Sequence, residues 1–253
     1  MSDRGKKVLH MIWLLVSPLL VYAAVCELTM FAGEMVWGGT SDSDVLLLST
    51  LAALMASAVL GIWYLRDGKR ERSAADGFSF RSAGIVVIGA VGACLFANHL
   101  LILAGVPSAG FEAVQAQLYR PPLAVQIAGT GLLIPLAEEL VFRGLGYGRL
   151  RREWSFAQAA WISSVFFGLY HGNLIQGMYA LMLGFLIAMA YEAYGGLWAA
   201  WLFHAVANLT SVLLTASSAA AWLQIHRGRM GIVMAAGGLL AAGSVYKMRE
   251  EIS

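Results

Sequence analysis

Apolar residues in this chain come in long runs rather than in the alternation of a half-buried strand or the single stripe of a surface helix. Eight runs stand out, roughly at 8–30, 45–65, 83–103, 123–145, 156–170, 174–191, 196–214 and 231–245. About 20 residues of α-helix cross a hydrocarbon core, so six of the runs are long enough and the fifth and eighth are short. No run alternates polar and apolar positions, which argues against a membrane barrel. The expected fold class is all-α, a polytopic membrane bundle of about eight transmembrane helices. The stretch 111–118 reads as a short interfacial helix. The first run continues without a small-residue cleavage site and reads as a span, not a secretory leader.

Composition supports this. Of 253 residues, 59% are hydrophobic and 13% charged, with mean hydropathy +0.71, whereas soluble domains are about 25% charged. One integral-membrane domain covering 1–253 is expected, and no internal repeat is evident. A net charge of +2 gives no reason to expect nucleic acid as a partner; the lipid bilayer is the expected surroundings. Cys26 and Cys94 sit in separate apolar runs and read as small buried hydrophobes.

Basic residues orient the bundle. With the N-terminus inside, the cytoplasmic segments receive Arg4, Lys6 and Lys7; Arg66, Lys69, Arg70, Arg72 and Arg81; Arg143, Arg149, Arg151 and Arg152; and Lys247 and Arg249. That is 14 of the 17 Lys and Arg residues, leaving Arg120, Arg227 and Arg229 on the other side. The bias predicts cytoplasmic N- and C-termini. The basic loop 66–81 is read as setting topology.

Against this background three polar clusters need explaining: Glu138-Glu139 with Arg143, Phe167 with His171, and His204 with Asn208. Residues four apart share a helix face. An ionisable group at the bilayer centre costs about 2.5–3.5 kcal/mol on insertion scales. Glu139 and Arg143 can pair at i,i+4, which leaves Glu138, about 100° further round the helix, to face a cavity. Together the clusters supply a carboxylate base, two imidazoles and an amide donor, the parts for activating a water and stabilising an oxyanion. His10, Glu27 and His99 read instead as helix-end or inter-helix hydrogen-bonding residues. Aspartate is confined to tails and loops (Asp3, Asp42, Asp44, Asp67, Asp76), and no Gly-x-Ser-x-Gly motif occurs.

The pattern Glu-Glu-x-x-x-Arg, Phe-x-x-x-His, His-x-x-x-Asn resembles the CPBP family of intramembrane proteases, which includes the Ras-converting type of CAAX prenyl endopeptidase and bacteriocin-processing relatives. All three motifs are complete and in order between Glu138 and Asn208, within a motif-bearing core of about 123–217. The resemblance implies hydrolysis of a peptide bond in a membrane-associated protein or peptide, either CAAX-type or leader-peptide processing. It implies Glu138 as general base and His171 as holder of the water and carrier of its proton. His204 and Asn208 would be oxyanion donors, and Glu139 and Arg143 the brace. The metal-free route is favoured; zinc held by Glu138, His171 and His204 is the alternative. A non-catalytic membrane protein of the same fold, with an immunity or partner-regulating role, is the competing function, followed by a proton-coupled transporter.

One geometric difficulty stands out. At 1.5 Å per residue, Glu138 lies about 16 Å and His204 about 14 Å from the basic edge, but His171 about 24 Å. Upright helices starting from one level would separate His171 from the other two.

Overall fold

A computed structural model describes residues 3–37, 41–67, 78–107 and 110–252, and every element among them is helical. Lys69, Arg70, Arg72 and Asp76 of the basic loop lie outside the described residues. In chain order come α1 (Asp3–Trp37), α2 (Asp42–Arg66), α3 (Phe80–Leu103) and the short α4 (Phe111–Tyr119). The fourth span is composite: α5 (Leu123–Gln126), a π-helical stretch π1 (Ile127–Leu133), α6 (Ile134–Glu139), a second stretch π2 (Leu140–Tyr147) and α7 (Gly148–Leu150). Then follow α8 (Phe156–Tyr170), α9 (Leu174–Ala193), α10 (Leu197–Ala216), α11 (Ala219–Gln224) and α12 (Arg227–Ile252).

Seven helices among the described residues are long and apolar enough to cross a membrane, and α8, with 15 residues, is a shorter apolar one. The chain is an integral, multi-pass membrane protein. The eighth segment is not short as expected: α12 runs for 26 residues, because lysine, arginine and glutamate are good helix formers and carry the helix past its apolar centre. The expected interfacial helix at 111–118 is α4. Helix starts follow local chemistry. Ser41 with Asp44, Ser79 with Ser82, and Ser155 with Gln158 form reciprocal caps at the starts of α2, α3 and α8, satisfying backbone N–H groups that have no partner within the helix.

Two apolar clusters fill the bundle. One joins α3, α9, α10 and α12 through Val86, Leu183, Ile187, Phe203 and Met248. The other joins α1, α2 and the fourth span through Tyr22, Leu60, Val141 and Phe142, with Phe167 added from α8. Outward-facing side chains are also apolar: Phe80 is 90% and Leu239 76% exposed, as lipid-facing positions should be.

The two ends of the bundle differ. At one end Asp67 meets Arg149 and Arg152, His10 meets Glu153, and Arg151 meets Glu192. These contacts gather the start of α1, the end of α2, the 151–155 turn and the end of α9; this is the basic end. At the opposite end Arg227, opening α12, donates to the Leu103 carbonyl that closes α3.

Candidate active site

The site begins with the irregular backbone of the fourth span. In the π stretches the N–H of Ile134 reaches back to Gly129 O, and that of Gly148 to Arg143 O, five residues in each case. Widened turns leave carbonyls for other donors, and side chains of neighbouring helices supply them. Asn208 Nδ2 donates to Thr130 O at 2.9 Å and Trp201 Nε1 to Leu132 O at 3.0 Å, both from α10 onto π1. Ser163 Oγ donates to Phe142 O at 2.9 Å, from α8 onto π2. Glu138 and Glu139 occupy α6, the regular segment between the two stretches, a setting that recurs at functional sites.

Glu139 and Arg143 are fully buried. Arg143 Nη1 donates to Glu139 Oε1 at 3.0 Å, and Nη2 to the Gly184 carbonyl at 3.2 Å. The same Glu139 oxygen lies 2.7 Å from His204 Nδ1. The carboxylate oxygen that accepts from Arg143 also accepts here, so Nδ1 carries the proton and the His204 tautomer is fixed. Its other nitrogen, Nε2, stands 3.8 Å from Glu138 Oε2, beyond hydrogen-bond length.

His171 is placed by a tight reversal. It caps the end of α8. Gly172 follows with φ of +69°, the left-handed conformation that glycine takes without a Cβ penalty. Asn173 then starts α9, its Oδ1 accepting from Gln176 N at 3.0 Å. His171 Nδ1 lies 2.8 Å from Phe167 O. A carbonyl only accepts, so this nitrogen is also the donor and Nε2 is left free.

Phe167 organises the centre. Its ring centroid is 4.9 Å from that of His171 and 5.6 Å from that of His204, in edge-on arrangements, and the Arg143 guanidinium sits 4.4 Å over it. The sequence marked Phe167 only as a motif partner; packing makes it the wall that both imidazoles and the arginine share.

Glu138, His171, His204 and Asn208 line one cavity of about 340 Å³, together with Thr130 and Phe167. Glu139 and Arg143 stand behind it. His171 therefore reaches the cavity of Glu138 despite the depth count. Helix α8 has 15 residues, about 22 Å at 1.5 Å per residue, shorter than the roughly 30 Å hydrocarbon layer. Its terminal turn thus ends inside the bundle, beside the cavity.

Residues 120–210 match the family model for Type II CAAX prenyl endopeptidase Rce1-like proteins. The match covers 91 of the 253 residues, so this core is similar to that CAAX-type family. The chain is also 26% identical over 135 residues to "Putative membrane peptidase YdiL" of Bacillus subtilis (strain 168), an alignment covering 53% of this chain and 54% of that protein. It thus spans about half the length of the curated relative it matches. No solved structure matches it.

The zinc alternative fits this chain poorly. Among the described residues, no three His, Cys, Asp or Glu side chains group so that they could hold a metal ion.

Other sequence candidates lie elsewhere. Glu27 is exposed and outside the residues lining the cavity. His99 is buried with Nδ1 2.7 Å from Leu95 O, and it lines a second, neighbouring cavity. Cys26 and Cys94 are free thiols, and Cys94 Sγ lies 3.3 Å from Ser211 Oγ. Arg143, counted above with a basic loop, is inside the bundle. Sequence reading missed the ion pairs that close the basic end, since nothing near Asp67 marks its partners. It also missed the π stretches, although Gly129, Gly131, Gly144 and Gly146 fall inside them.

Proposed function

We propose that the chain is an intramembrane endopeptidase that hydrolyses a peptide bond of a membrane-associated protein or peptide with water activated by Glu138. The observation that carries this reading is that Glu138, two imidazoles with free Nε2 atoms and the Asn208 amide line one cavity, while the buried Glu139–Arg143 pair holds His204.

The roles follow from the atoms. Water is a poor nucleophile and needs a base within hydrogen-bond reach. Glu138 takes the water's proton as the oxygen attacks the carbonyl carbon. His171, with Nδ1 on the Phe167 carbonyl, presents Nε2 to hold that water and to accept a proton. His204 keeps Nδ1 on Glu139; when Nε2 is also protonated it becomes a donor to the oxyanion, and Glu139 stabilises the resulting cation. The Asn208 amide has two N–H donors, and its bond to Thr130 O occupies one. The second is free for the oxyanion, where a fixed donor in a dry site contributes more than it would in water. Collapse of the tetrahedral intermediate expels the amine, which takes up the proton from Glu138. No metal enters this sequence of steps, and the termini face the cytoplasm.

The test is cleavage by purified protein in proteoliposomes, offered prenylated and unprenylated membrane-anchored peptides, with products read by mass spectrometry. Cleavage that survives chelation and disappears in Glu138→Gln is expected. Loss of cleavage on chelation, restored by zinc, would overturn the metal-free route.

A further inference from the structure

A second cavity of about 410 Å³ adjoins the first, sharing Asn98, Phe111, Tyr119, Ile175 and Ser211 with it. It lies beneath α4 and α11, at the end of the bundle opposite the basic end. Exposure rises along it. Glu138 is 6% exposed, Asn98 and Ser211 at the junction are half-buried, and Gln115, Thr215 and Gln224 at the outer edge are exposed. Toward the basic end the packing is closed: Phe142, Arg143, Leu145 and Tyr147 are each at most 2% exposed, and the ion pairs of Asp67, Arg149, Arg151 and Glu192 lie beyond them.

The lining chemistry is as informative as the position. Among the described residues the second cavity is lined by no Asp, Glu, Lys or Arg. Its polar groups are mainly neutral amides and hydroxyls: Asn98, Gln115, Tyr119, Ser211, Thr215 and Gln224. Asn98 already donates to Ser211 Oγ at 3.2 Å, and Leu101, Ile102, Ile175 and Leu214 are among the apolar residues that line the rest. A hydrocarbon chain would match that apolar part but leave the outer amides of Gln115 and Gln224 without a partner. An extended peptide brings the opposite need, since each unpaired backbone N–H and C=O within a membrane requires a partner. A charged side chain finds no countercharge. In the first cavity, Thr130 Oγ1 is a buried hydroxyl without a hydrogen-bond partner, again a place suited to a polar occupant.

We propose that the Glu138 cavity is entered through this second cavity, from the membrane side opposite the termini, and that the entry holds an extended, uncharged peptide segment of the substrate. The peptide assignment rests on the hydrolase reading above; the direction of entry does not.

Single cysteines at Thr215 and Gln224 test the entrance, with Glu153→Cys marking the basic end and the parent chain as control. Each is labelled with a membrane-impermeant maleimide in right-side-out and in inverted vesicles. Thr215→Cys and Gln224→Cys should label at least about tenfold faster in right-side-out vesicles, and Glu153→Cys in inverted ones. Hexaalanine should slow labelling of Thr215→Cys, whereas hexaglutamate and farnesol should not. Faster labelling of the entrance cysteines in inverted vesicles would overturn the direction. Protection by farnesol or hexaglutamate, or none by hexaalanine, would overturn the occupant. Repeating the labelling in Glu138→Gln separates the two readings: entry is read without turnover, so loss of hydrolysis leaves it unchanged.

Discussion

The fourth span and the α3–α12 pair both read as apolar membrane segments, yet they are held together in opposite ways. Along α3 and α12 the backbones touch. A Cβ on Gly92 would lie 2.7 Å from both Ala241 N and Gly237 O, and one on Gly237 would lie 2.8 Å from Gly92 O. Small residues permit that approach, as is common between membrane helices. Along the fourth span, side chains from α8 and α10 bond to backbone carbonyls, and a buried arginine spans from Glu139 to the Gly184 carbonyl. The first arrangement stabilises mainly by close contact, with Ser244 Oγ donating to Ile85 O and Arg227 to Leu103 O near the two ends. The second keeps polar groups in fixed positions, a requirement for chemistry but not for packing.

The largest stability change should come from breaking the buried pair. Arg143→Met leaves Glu139 charged without its partner and should destabilise by about 3–5 kcal/mol, read from thermal unfolding in detergent. Adding Glu139→Gln should recover part of that loss, since no lone charge remains. Next, Asn208→Ala should lower cleavage about 10²–10³-fold, the range for a lost oxyanion donor. Its stability cost should be only about 1 kcal/mol, for one hydrogen bond. Gly92→Leu should do the reverse. Overpacking of the α3–α12 seam costs about 1–3 kcal/mol or more, with the rate per folded molecule little changed. If Gly92→Leu cut the rate as deeply as Asn208→Ala, the two regions would not be separable in function.

The smallest effect is expected at the basic end. Burial pushes the Asp67 carboxyl up, but Arg149 and Arg152 outweigh it and hold it below its ordinary value of 3.8. A lowered folded-state value means the pair stabilises fully above about pH 4 and loses that contribution as pH falls through the lower, folded-state value. Asp67→Asn should therefore cost at most about 1 kcal/mol at neutral pH. The difference between the variant and the parent should shrink in melts taken below about pH 4.

The same comparison shows what a sequence can convey. The spans were legible because apolar length is a property of consecutive residues. Glu138, His171, His204 and Asn208 were legible because polar residues at four-residue spacing are conspicuous in apolar runs. The π stretches were not, since a widened turn depends on donors from α8 and α10 that lie more than twenty positions away. The depth count misplaced His171 for a related reason: it took helices as upright and of full length, and α8 stops short. Phe167 shows the same limit, because contacts with Arg143 from the fourth span and His204 from α10 give it its place.

The most direct test is the rate of peptide cleavage by Glu138→Gln against the parent protein, both reconstituted and matched for thermal unfolding midpoint. Glutamine keeps the shape and removes the base, so cleavage should fall by at least about 10²–10⁴-fold while the midpoint stays the same. Equal rates in the two proteins would contradict Glu138 as the base and, with it, the hydrolase reading of the cavity.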